Sequence, residues 1–195
     1  MTALLEVPAD VHILATDRDG APQLMPFARS CGFELFAGPK DDVLGRFLLA
    51  AAEYGADRIV RATGDNPLVS GALAARLLRL QNDEGWDYGG FVGPPVGTGV
   101  EVVRVQALAE AGLHAEDPYE REHVTPYLYR RPEEFRLAYI QAPEEFCAPD
   151  MRVTLDTRED YAFLQRLFGS CYRGAPVPVE DLVSYHSVLA GNKGA

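Results

Sequence analysis

Arg58-Ile59-Val60-Arg61-Ala62-Thr63-Gly64-Asp65-Asn66-Pro67-Leu68 is the stretch on which the fold turns. Residues 58–63 form a short apolar run that reads as a strand, and Gly64-Asp65-Asn66-Pro67 closes it as a tight loop. Just before it, residues 41–54 read as the clearest helix. Val43, Leu44, Phe47, Leu48 and Ala51 recur at helical spacing, Asp41 and Asp42 suit the positive helix start, and Gly55 stops it. Just after it, residues 70–82 return to helix through Leu73, Leu77, Leu78 and Leu80. Further upstream, residues 11–16 read as a buried strand ending in the turn cluster Asp17-Arg18-Asp19-Gly20. Residues 22–31 read as a helix weakened by Pro22 and Pro26, and residues 33–36 as a second short strand. Strand and helix alternate, which implies a mostly parallel sheet with helices on both faces.

The second half is more mixed. Residues 89–99, rich in Gly and Pro, read as a loop. Strands are expected at 100–105, 135–140 and 152–155, and helices at 118–131 and 179–190. Another helix at 158–168 follows the capping pattern Thr157-x-x-Asp160. Residues 191–195 read as a disordered tail. The length of 195 residues and a hydrophobic fraction of 47% suit a single domain over 1–195.

The formal charge of −11 argues against a nucleic-acid partner, whose phosphates demand a basic surface. No apolar run reaches membrane-spanning length, and the N-terminus lacks the basic region of a signal peptide, so a cytoplasmic location is expected. Cys31, Cys147 and Cys171 are odd in number and widely spaced, which fits neither a disulfide framework nor a zinc site.

Four stretches carry candidate chemistry. Asp65 ends a strand through a Gly turn, where open α/β sheets bind ligands and where Mg²⁺ finds carboxylates to join substrate phosphates. Asp156, in Arg152-Val153-Thr154-Leu155-Asp156-Thr157, also follows an expected strand and precedes a helix. Either aspartate alone is more often a turn or cap residue; the pair is more telling. Asp117-Pro118-Tyr119-Glu120-Arg121-Glu122-His123 brings Arg121, suited to a carboxylate or phosphate, beside His123; a solvated helix face explains it as well. Gly97-Thr98-Gly99-Val100-Glu101 offers close backbone approach and a carboxylate for sugar hydroxyls, or simply a bulge.

Together these stretches, with Asp41-Asp42-Val43-Leu44-Gly45-Arg46-Phe47, resemble the acylneuraminate and keto-deoxy-octulosonate cytidylyltransferase superfamily, nearest the branch of spore coat polysaccharide biosynthesis protein F. The likeness runs from Val11 to Phe168. It implies a Rossmann-like three-layer α/β/α nucleotidyltransferase fold and Mg²⁺-dependent transfer of CMP from CTP to a sugar acid or related sugar. By position, Asp65 and Asp156 match the family's metal-binding aspartates, while Arg61, Glu101, Arg121 and His123 fall in regions lining its substrate pocket. A homodimer is the candidate assembly.

Two departures stand out. Met1 begins just before what resembles the family's second strand, so the Gly- and Lys-bearing loop that wraps the triphosphate is expected to be missing, leaving strand edges unpaired. Val96 and Gly99 stand where the branch carries Arg and Asp. A non-catalytic binding protein on the same scaffold is the alternative reading. A third is a glycosyltransferase with Asp17-Arg18-Asp19 as its metal motif.

Overall fold

The computed structural model describes residues 1–191; the tail expected at 191–195 lies, but for Gly191, outside the described residues. A 3-10 turn, Thr2–Glu6, leads into β1 (Ile13–Asp17), α1 (Ala21–Ser30), β2 (Glu34–Gly38), α2 (Val43–Tyr54), β3 (Arg58–Arg61) and α3 (Gly71–Glu84). Then follow β4 (Tyr88–Val92), β5 (Glu101–Arg104), α4 (Val105–His114), α5 (Pro118–His123), α6 (Pro126–Tyr129), β6 (Leu137–Gln141), α7 (Arg158–Cys171) and α8 (Val179–Gly191).

The local signals explain the helices of the first half. Asp42 caps α2 by accepting the Gly45 N–H at 2.9 Å, and Gly55 ends it in the left-handed region at φ 64°. Thr157 and Asp160 form the expected capping box at the start of α7. The helix expected over 118–131 is instead two pieces, because Val124 sits at φ 75° and Pro126 opens a new turn.

The sheet differs from the mostly parallel one expected. β1 and β2 pair in parallel as a separate two-stranded sheet, and the other four strands run in the order β3-β5-β4-β6. β5 is antiparallel to both β3 and β4, whereas β4 and β6 are parallel. The cause is the short return from β4 to β5: with no crossover helix between them, the chain can only come back antiparallel. β1 and β2 are both edges of the small sheet, and β3 and β6 are the edges of the larger one. α2 packs on β1 and β2 and also on α4 and α5, so one helix ties the two sheets together.

The stretch expected as a loop begins as β4. Gly89 is required there, since a Cβ would stand 2.6 Å from the Ala138 carbonyl of β6. The strand expected at 152–155 is only a single bridge from Arg152 to Val96.

Val102 and Val103, adjacent and fully buried, face opposite ways and place the layers. Val103 packs with Leu44, Leu108 and Leu128 beneath α2, α4 and α6; Val102 packs with Val69, Leu77 and Trp86 beneath α3. A third cluster, of Met151, Val153, Leu164, Leu167 and Leu182, joins α7 and α8 to the C-terminal loops.

Two stability tests follow from this packing. A Cβ on Gly71 would meet the Ala3 carbonyl oxygen at 2.0 Å, because the Thr2–Glu6 turn lies directly on the start of α3. Gly71→Ala is expected to cost about 1–3 kcal/mol and to expose the turn to limited proteolysis. The second test concerns Arg121, which clasps Asp42 through Nε at 3.1 Å and Nη2 at 2.9 Å. Burial raises the pKa of Asp42, but the Arg121 guanidinium and the Gly45 N–H outweigh it and hold the carboxyl below its ordinary value. A carboxyl lowered on folding stabilises the chain above its unfolded pKa and loses that stabilisation as pH falls through the folded value. Acid unfolding followed by circular dichroism should show this loss below about pH 4, and Asp42→Asn should flatten it.

Candidate active site

β5 is antiparallel to both β3 and β4, so the carboxyl ends of β3, β4 and β6 lie at one rim of the larger sheet with the amino end of β5. This is the rim where α/β sheets bind ligands. The loop after β3 carries Asp65, and the segment after the Val96–Arg152 bridge carries Asp156. A backbone bond joins them: the Leu155 N–H donates to the Asp65 carbonyl at 2.8 Å. The two aspartates therefore stand on adjacent segments, and both are exposed.

Their surroundings differ. No side-chain hydrogen bond to Asp65 occurs among the described residues. The Asp156 carboxylate accepts from Arg152 and from Thr154 Oγ1, the latter at 2.9 Å. Asp160 takes the backbone N–H groups of Asp156 and Thr157 at 3.0 and 2.8 Å, which fixes the loop. These N–H groups hold the Asp160 carboxyl below its ordinary pKa. Between Asp65 and Pro67, the side-chain oxygen of Asn66 is buried without a partner.

Among the described residues no three His, Cys, Asp or Glu side chains gather as a metal cluster. Mg²⁺ takes most of its ligands from water and phosphate and needs only one or two carboxylates from the protein. Asp65 and Asp156 are the residues that would hold it.

Arg61 and Glu101 form the second part of the site. They oppose each other across β3 and β5, and Arg61 Nη1 donates to Glu101 Oε2 at 2.5 Å. Glu101 Oε1 accepts from the Tyr88 hydroxyl at 2.7 Å and from Thr125 Oγ1 at 2.9 Å. Burial, then the Glu101 charge, pushes the Tyr88 phenol well above its usual pKa, so it remains a donor. Glu101 thus joins three strands to the turn between α5 and α6.

The structure does not bring Arg121 and His123 into this arrangement as free groups. Besides Asp42, the Arg121 guanidinium donates to the Ala115 carbonyl at 2.9 Å, so it serves as a clasp between helices. His123 is exposed and packs against Tyr119, the ring centres 4.2 Å apart and the planes tilted by 51°. Sequence reasoning missed Tyr88, Thr125 and Asp42 as members of these networks. For Tyr88, the aromatic residue opening a glycine-rich segment was the available signal.

A hollow of about 360 Å³ lies away from these residues, at the carboxyl ends of β1 and β2, lined by Asp17, Arg18, Asp19, Gly38, Pro39 and Lys40. Asp17 Oδ1 accepts the N–H groups of Gly20 and Asp19, which lower its pKa in that order of strength; the Asp17-Arg18-Asp19 motif is thus a self-bonded turn.

The sequence model of the family described as "Cytidylyltransferase" matches residues 1–185. This chain belongs to the cytidylyltransferase family. The spore coat polysaccharide biosynthesis protein SpsF of Bacillus subtilis is 33% identical to it over 185 residues, 94% of this chain and 77% of SpsF. The uncharacterized protein MJ1063 of Methanocaldococcus jannaschii is 35% identical over 152 residues, 78% of this chain and 63% of that protein. The chain therefore spans less than two thirds of the archaeal relative's length. A cytidylyltransferase structure from Leptospira borgpetersenii superposes with a TM-score of 0.82 at 25% identity, covering 99% of this chain and 83% of that one. The Rossmann-like cytidylyltransferase fold inferred from the motifs is thus the fold of this family member, with the sheet mixed. Among the described residues no helix is long and apolar enough to cross a membrane.

Proposed function

We propose that this cytidylyltransferase-family chain takes part in transferring CMP from CTP to a hydroxyl of a sugar acid or related sugar, in the making of a surface polysaccharide. One observation carries this reading: the Leu155–Asp65 backbone bond joins the two segments that bear the exposed aspartates Asp65 and Asp156, at the strand ends where α/β sheets bind ligands. The likeness to SpsF supports the polysaccharide context.

In the reaction, the sugar hydroxyl oxygen bonds to the α-phosphorus of CTP. The bond from that phosphorus to the bridging oxygen breaks, pyrophosphate leaves, and the hydroxyl proton passes to solvent. Mg²⁺, when bound, would neutralise charge on the phosphates. Positioning and electrostatics supply the rate in such transfers. Asp65 and Asp156 would orient the phosphates' metal, Asp160 fixes the Asp156 loop, and the Glu101 network holds the floor on which the acceptor rests.

The test is pyrophosphate release from CTP with Mg²⁺ and a panel of sugar acids and neutral sugars. Release that depends on both metal and sugar supports the reading. Absence of turnover across the panel would sink it.

A further inference from the structure

Across the larger sheet, Arg61, Glu101, Gly90 and Tyr139 stand opposite one another in register on β3, β5, β4 and β6. Opposed residues share a face, so this row lies on the side of α2 and α4, like Val103 two residues on from Glu101. Gly90 contributes no side chain and leaves a notch between the Glu101 carboxylate and the Tyr139 ring. Its φ is not in the left-handed region, and a Cβ there would meet nothing nearer than the Val100 carbonyl at 3.5 Å. Neither backbone conformation nor crowding therefore demands this glycine, in contrast to Gly89 beside it. Tyr139 is 60% exposed and its ring meets Tyr88 edge-on at 6.4 Å, beside the notch.

We propose that Gly90 and Tyr139 form the ring-binding notch for the acceptor, and that the notch selects an uncharged pyranose face over one bearing a carboxylate. The proposal rests on the transferase reading for its role in the reaction. Three features set the ligand class. The exposed Tyr139 ring offers an apolar face to the C–H side of a sugar ring. Glu101 Oε2 has one donor, Arg61, and keeps room to accept a sugar hydroxyl. The only full positive charge in the row, Arg61, is already paired with Glu101. A ligand carboxylate in the notch would face the Glu101 carboxylate, whose own partner Arg61 is already engaged.

Saturation-transfer NMR and titration with two probes, methyl β-glucoside and methyl β-glucuronide, test this without CTP, so failure here is distinct from failure of the transferase reading. The expected result is millimolar binding of the glucoside and at least fivefold weaker binding of the glucuronide. Gly90→Val, with a residue suited to a strand, should fill the notch and weaken glucoside binding about tenfold or more at unchanged circular dichroism. Tyr139→Ala should do likewise, whereas Tyr139→Phe, which keeps the ring, should retain binding. Equal or tighter binding of the glucuronide, no binding of either probe, or a Gly90→Val variant that binds as well as the parent would each overturn the proposal.

Discussion

Exchange of Glu101 for alanine is expected to lower the unfolding free energy by about 2–3 kcal/mol, somewhat below the range for breaking a fully buried ion pair. Three donors depend on this carboxylate: Arg61, Tyr88 and Thr125. The Arg61 side chain is only 15% exposed, and Thr125 is 2% exposed, so water reaches them poorly once the acceptor is gone. The Arg61 Nε is already buried without a partner, and losing the Nη1 partner as well leaves a guanidinium held only by packing near Phe47. Glu101→Gln keeps shape and one acceptor but loses the charge, and its cost should be smaller. Double variants with Arg61→Met separate the pair from the rest, because a coupled pair gives a non-additive cycle. Denaturant unfolding measures each of these; an alanine variant within a few tenths of a kcal/mol of the parent would show that Glu101 is not the hub described.

The second large effect is on catalysis. Asp65→Asn is expected to reduce pyrophosphate release by about 100-fold or more, on the order of 3 kcal/mol, the size of losing one electrostatic stabiliser of a transition state. Thermal stability should not change, since the side chain is exposed and bonds to nothing among the described residues. Asp156→Asn should show a similar loss of rate, with a small structural component because it also frees Arg152 and Thr154. If Asp65→Asn left the rate intact, the aspartate pair would not be the metal-holding centre.

Capping and termination were legible because they depend on residues within one helical turn. Asp42 and Gly55 bounded α2, and Thr157 with Asp160 opened α7, as local hydrogen bonding requires. The same locality misled where a distant strand set the conformation. Tyr88-Gly89-Gly90 has the composition of a loop, yet β6 lies so close that only glycine fits at position 89. Residues 105–114 show helical spacing in Val105, Leu108 and Ala111, but a strand reading that ran on into Val105 hid the start of α4. Arg121 illustrates the limit for the site. Its neighbours in sequence suggested an anion-binding helix face, whereas its partner proved to be Asp42, far away in the chain.

By itself the sequence determined the layered α/β class, the order of most elements, and the placing of Asp65 after its strand, because periodicity, caps and turns are short-range properties. Only the tertiary structure decided that the sheet is mixed and split, that Glu101 is tied to Arg61, Tyr88 and Thr125, and that a glycine leaves a notch beside Tyr139. Those outcomes depend on strand direction and register, which fix which residues stand opposite one another and which no local pattern along the chain encodes.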